Sequence, residues 1–110
     1  MEEERVMVAD GGVMASLAYH RYREADGYVA RSDALRLSSQ GETEGEAVEA
    51  LEEAVKVFLL DLVEAGVLEE VLTRDLGWRR LPPAAGYREA YEPPISVSGT
   101  LHVGPLAVAA

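Results

Sequence analysis

Residues 43–66 read TEGEAVEALEEAVKVFLLDLVEAG, and this stretch decides the fold. Thr43 and Glu46 have the spacing of a capping box: the Thr43 hydroxyl accepts from the Glu46 amide, and the Glu46 carboxylate reaches back to the Thr43 amide. Acidic residues in the first turn complement the positive end of the helix dipole. Val48, Leu51, Val55, Phe58 and Leu62 then recur at intervals of three and four, an apolar stripe along one helical face. Glu49, Glu52, Glu53, Lys56, Asp61 and Glu64 fall mostly outside it. Gly66 is a natural stop, because a left-handed residue after the last turn costs glycine little. At 1.5 Å per residue the helix spans roughly 33 Å, enough to cross a small domain.

Working outward, residues 5–42 read as strands. Arg5–Ala9 is short and β-branched, and Asp10-Gly11-Gly12 signals a turn. Val13–Arg23 alternates imperfectly and reads as one strand. Asp26-Gly27 is a hairpin cue that predicts a type I′ turn, with Tyr28–Ser32 returning and Leu35–Ser39 as a third strand. Beyond the helix, Val67–Leu76 predicts a short second helix ended by Gly77. Residues 77–94 carry Gly77, Pro82, Pro83, Gly86, Pro93 and Pro94 and predict an irregular connection. Ile95, Val97, Leu101 and Val103 alternate with polar residues, the pattern of a strand with one covered face. That strand either completes the parent sheet or pairs with another protomer, and the length of the 77–94 connection favours the second.

The expected architecture is α+β, a small antiparallel sheet with one long helix packed across it and an extra C-terminal strand. The expected division is 1–76 for the meander and helix, 77–94 for the connection and 95–110 for the last strand.

A chain of 110 residues forms one domain. It has no cysteine, which excludes disulfides, thiolate metal sites and thiol nucleophiles. Ten basic against twenty acidic residues leave a formal charge of −10, which disfavours nucleic acid and anionic membrane and suits a basic protein partner. No stretch approaches the ~20 apolar residues of a membrane span. The start, Met1-Glu2-Glu3-Glu4, lacks a signal peptide's basic region, so the expected setting is cytoplasmic.

Motifs for chemistry are few. His20 and His102 lack the spacing and third ligand of a metal site. Ser16, Ser38 and Ser98 have no nucleophile-elbow context. The acidic start of the helix, Glu42 to Glu53, reads as a solvated face or a docking face for a basic partner. Arg21, Arg23, Arg31 and Arg36 concentrate in the meander with Tyr19, Tyr22 and Tyr28, a pattern that reads first as cross-strand pairing with Glu24, Asp26 and Asp33. Trp78, the only tryptophan, reads as a core plug or a binding anchor. No catalytic residue, metal or cofactor is expected.

Residues 19–62 resemble the HicB family of antitoxins. The resemblance is carried by Glu24-Ala25-Asp26-Gly27-Tyr28-Val29-Ala30, then Gln40-Gly41-Glu42-Thr43, Glu46-Ala47 and the apolar helix. The family's Pro-Asp-Leu-Pro-Gly loop is represented by Ser32-Asp33-Ala34-Leu35-Arg36, which keeps the acid and the leucine only. Residues 77–110 show neither the paired amphipathic helices nor the basic cluster of the family's DNA-binding module, so the chain looks like a short, stand-alone relative. The resemblance implies a degenerate ribonuclease-H-like fold without metal carboxylates. It further implies a non-enzymatic, homo-oligomeric protein that neutralises a small basic HicA-type ribonuclease toxin. The residues expected to meet a partner are Tyr28, Arg31, Asp33, Glu49, Glu53 and Trp78. Ile95, Val97, Leu101 and Val103 are expected at an oligomer contact. The alternative is an orphan oligomeric module of the same fold, binding another protein or a ligand.

Overall fold

The computed structural model of the protein describes residues 4–94. The predicted helix is α1, Glu44–Ala65. The Glu46 amide donates to Thr43 Oγ1 at 3.1 Å, as the capping box requires, but the Glu46 carboxylate accepts from the Glu42 amide at 2.9 Å rather than from Thr43. Gly66 closes the helix with φ 74°, its N–H shared between the Leu62 and Val63 carbonyls. Ala47, Leu51 and Leu59 are the buried residues of the helix; Leu51 belongs to the predicted stripe, and Ala47 and Leu59 lie beside it. Each buried leucine contributes roughly 2 kcal/mol of transfer free energy.

The strands form two antiparallel sheets, not the single meander expected. β1 (Arg5–Ala9), β2 (Gly12–Ser16), β6 (Arg79–Leu81) and β7 (Glu89–Glu92) make a four-stranded sheet of order β2-β1-β7-β6. β3 (His20–Glu24), β4 (Gly27–Ser32) and β5 (Leu37–Gly41) make a three-stranded sheet in chain order. The stretch read as one strand, Val13–Arg23, therefore divides at Leu17–Tyr19 between two sheets. The Ala18 amide in that break donates to the Glu4 carboxylate at 2.9 Å, so its N–H finds a partner without a neighbouring strand.

The β3–β4 hairpin pairs Glu24 with Gly27 across a two-residue loop, Ala25-Asp26. The type I′ reading is corrected here. Among the described residues Arg36 is the one non-glycine with positive φ, so neither Ala25 nor Asp26 is left-handed. Gly27 opens β4 with φ 150°, and a Cβ there would lie 2.6 Å from the Gly41 carbonyl oxygen. Glycine at 27 lets β4 and β5 meet beneath the helix start.

The stretch 77–94, expected to be irregular, holds β6 and β7, and β7 is an interior strand. It pairs Val6 with Tyr91 and Val8 with Glu89 on one side, and Arg80 with Tyr91 on the other. The short second helix is present as α2 (Leu68–Glu70), which passes directly into a π-helical turn, Val71–Asp75. Gly77 follows in a left-handed conformation, φ 76°. The C-terminal strand expected at 95–103 lies outside the described residues.

Two apolar clusters join the layers. Near its start α1 lies on the three-stranded sheet through Ala30, Ala47 and Leu51, and the two alanines let helix and strand approach closely. Farther along, Leu59 joins Val6, Val8, Leu35, Leu68, Leu72, Trp78 and Tyr91 in the larger core. The result is an α+β domain of antiparallel sheets with one long helix packed against strands.

Candidate functional site

The helix stripe is wider than the sheets can cover. Val48, Leu51, Val55 and Leu59 form the floor of a groove of about 570 Å³ between α1 and the β2–β3 break. Gly12, Val13 and Ala15 of β2 and Leu17, Ala18 and Tyr19 of the break make the opposite wall. Its volume lies within the ~300–1,000 Å³ usual for clefts that take a ligand or an apolar anchor. Glu52 and Lys56 border it, and Tyr19 and Leu60 stand at its mouth 47% and 42% exposed. Ser32 is the buried polar residue of the lining, and its Oγ accepts from the Leu35 amide at 3.4 Å. The groove offers apolar surface with charge at the rim.

Of the six expected partner residues, Glu49 and Glu53 stand exposed on α1, the helix whose Glu52 and Lys56 border the groove. Tyr28 lies on the helix-facing side of β4 against the Ala30–Ala47–Leu51 cluster, with the Arg23 guanidinium 6.0 Å from its ring centre. Arg31 lies on the other side of β4 and donates to Asp33 at 2.8 Å. His20 Nε2 is 3.2 Å from the same carboxylate. The Arg31 hydrogen bond, aided by His20, lowers the Asp33 pKa below its ordinary value. The expected pairing of Arg21 with a meander acid is replaced by an ion pair to Glu44 on the helix, at 3.1 Å.

Trp78 is corrected as a contact residue. It is 3% exposed in the larger core, and its indole N–H donates to the Ala34 carbonyl at 2.9 Å. With its ring enclosed and its N–H used, it has no surface for a partner. Ile95, Val97, Leu101 and Val103 lie outside the described residues. The groove itself was missed in the sequence, although Val48, Leu51 and Val55 of its floor belong to the predicted stripe.

A second cluster surrounds Tyr91. Its hydroxyl donates to the Glu89 carboxylate, and the Arg80 guanidinium lies 5.9 Å from its ring centre while pairing with Glu69 at 2.8 Å. Burial first, and the Glu89 bond second, push the phenol pKa well above its usual value. This cluster locks β7 to its neighbours. Among the described residues, no three His, Asp or Glu side chains converge to hold a metal ion, and no helix is long and apolar enough to cross a membrane.

No protein-family model, no curated protein and no solved structure matches the chain.

Proposed function

We propose that the protein is a non-enzymatic, HicB-like antitoxin that binds and neutralises a small basic HicA-type ribonuclease toxin. The observation that carries this reading is the apolar groove beside the acidic face of α1, where Glu49, Glu52 and Glu53 are all exposed. A basic protein presenting an apolar side chain is complementary to both features, and complementary charge also speeds encounter. The reading is further supported by where the resembling residues lie: Gly27, Gly41, Thr43, Glu46 and Ala47 meet at one junction of β4, β5 and α1.

A second reading keeps the binding groove but drops the toxin. It is favoured by Asp33, the acid retained from the family's loop, whose carboxylate is already engaged by Arg31 and His20.

Co-expression with a panel of HicA-type ribonucleases tests the proposal. The expected result is restored growth and a stoichiometric complex that weakens with salt. The charge-reversed variant E49K/E53K should lose the complex while keeping its helical circular dichroism. Absence of both complex and inhibition across the panel would overturn the antitoxin reading in favour of the second.

A further inference from the structure

The three-stranded sheet ends in an open strand. Among the described residues β3 hydrogen-bonds to β4 alone, and all five of its residues, His20-Arg21-Tyr22-Arg23-Glu24, are exposed. The other sheet edges differ. β5 has α1 lying against it. β6 is three residues long and runs into Pro82-Pro83, a common way to blunt an edge. β2 is open but carries no charged residue to fix a register. β3 has neither proline nor glycine, and no element covers it among the described residues.

We propose that β3 is a self-pairing edge, which joins antiparallel to β3 of a second copy and fuses the two small sheets into one of six strands. Symmetry limits the registers. A two-fold axis normal to the sheet keeps each face on its own side, so a residue pairs only with itself or with one an even number of positions away. One such register uses the whole strand, with Tyr22 opposite its own copy and His20 opposite Glu24 at both ends. In a two-residue hairpin the loop-flanking pair, here Glu24 and Gly27, is hydrogen-bonded, and the pattern then alternates. Arg21 and Arg23 therefore turn their N–H and C=O groups outward, and in this register they face each other and exchange those bonds.

The side chains agree with that register. Tyr22 is 44% exposed and gains an aromatic cross-strand neighbour. His20 gains a carboxylate opposite it. Arg21 and Arg23 would meet as like charges, but Arg21 is paired with Glu44 at 3.1 Å and Arg23 lies over the Tyr28 ring. The chain carries −10 overall, yet residues 20–32 hold three arginines against Glu24 and Asp26. Two copies meeting here therefore bring together a stretch that does not share the chain's net acidity. This surface is separate from the groove and does not rest on the toxin.

The chain has no cysteine, so single introduced cysteines report the geometry directly. Opposed residues of a non-hydrogen-bonded antiparallel pair lie about 4.5 Å apart at Cα, within disulfide reach. The expected result is a dimer in sedimentation equilibrium and rapid oxidation of Y22C to a covalent dimer. M14C on the β2 edge and V57C on α1, at residues 56% and 47% exposed in the parent, should stay uncrosslinked. Y22E should weaken the dimer at least about tenfold, because two like charges then face each other on the axis. A monomeric parent, or a dimer in which Y22C does not crosslink or crosslinks no faster than M14C or V57C, would overturn the proposal.

Discussion

Two glycines four positions apart should respond to alanine with opposite signs. A Cβ on Gly41 would lie 2.5 Å from the Ala47 nitrogen, 2.7 Å from Glu46 Cβ and 2.8 Å from the Glu46 carbonyl carbon. Two of these atoms are backbone in the first turn of α1, so no rotamer change relieves the clash. The helix start must lift from β5. Ala47 is fully buried in a contact with Ala30 and Leu51 that the lift would loosen. Overpacking of this kind costs about 1–3 kcal/mol. For a domain near this size each kcal/mol lowers the melting temperature by roughly 4–8 °C. Gly45 sits in the same turn, but a Cβ there meets nothing nearer than Thr43 Oγ1 at 3.9 Å. Alanine at 45 should instead gain about 0.5–1 kcal/mol from helix propensity and lost unfolded-state freedom. Urea unfolding followed by the emission of Trp78 reads both changes. A G41A midpoint equal to the parent's, or a G45A loss as large as that of G41A, would refute the close-approach argument.

Three further outcomes are expected. Tyr91 has its pKa raised by burial, so its contribution is fully present below the unfolded phenol's value of about 10 and is lost as pH rises toward the folded value. Alkaline melts should therefore show the parent losing up to about 1.4 kcal/mol per pH unit above 10, with a visibly flatter profile for Y91F, and equal slopes would count against burial as the cause. Trp78 should emit at short wavelength and resist acrylamide, and W78F should cost about 1–3 kcal/mol by leaving the Ala34 carbonyl without its indole donor; ready quenching would put the ring at the surface instead. Arg36 holds φ 58°, a conformation costing an L-residue roughly 1–2 kcal/mol, so R36G should raise the urea midpoint despite glycine's unfolded-state entropy, and a lowered midpoint would refute the strain.

What the sequence made legible was local. The Thr43 cap, the stripe and Gly66 all act within one or two helical turns, and α1 begins and ends where they place it. β1 and its Asp10-Gly11 loop, β4 and the helical stretch after Gly66 are similarly self-contained. β7 is different. Glu89-Ala90-Tyr91-Glu92 is a four-residue run between prolines, with acids at both ends, and it becomes an interior strand only because β1 and β6 flank it. Tyr91 OH donates to Glu89 within the run, while Arg5 of β1 and Arg79 of β6 meet Glu92, so the charge of Glu92 is balanced by the strands on either side. No periodicity within four residues reports partners eighty positions off.

The groove was illegible for a related reason. Val48, Leu51 and Val55 of its floor belong to the helix stripe, visible as spacing, but its wall exists because the chain leaves one sheet and enters another between Ser16 and His20. Alternation through Leu17, Ala18 and Tyr19 is imperfect, and that imperfection is the one local trace of the break. Had β2 and β3 been a single strand, Leu17 and Tyr19 would have stayed within one sheet and the stripe would have had no wall to face. Instead, the Glu4 carboxylate takes the Ala18 amide, the strand is free to divide, and one turn of unpaired chain stands across from Val48, Val55 and Leu59. The same division leaves β3 as a sheet edge with its own face and register. Both surfaces proposed for binding, the groove and the open strand, follow from one interruption of strand pairing three residues long.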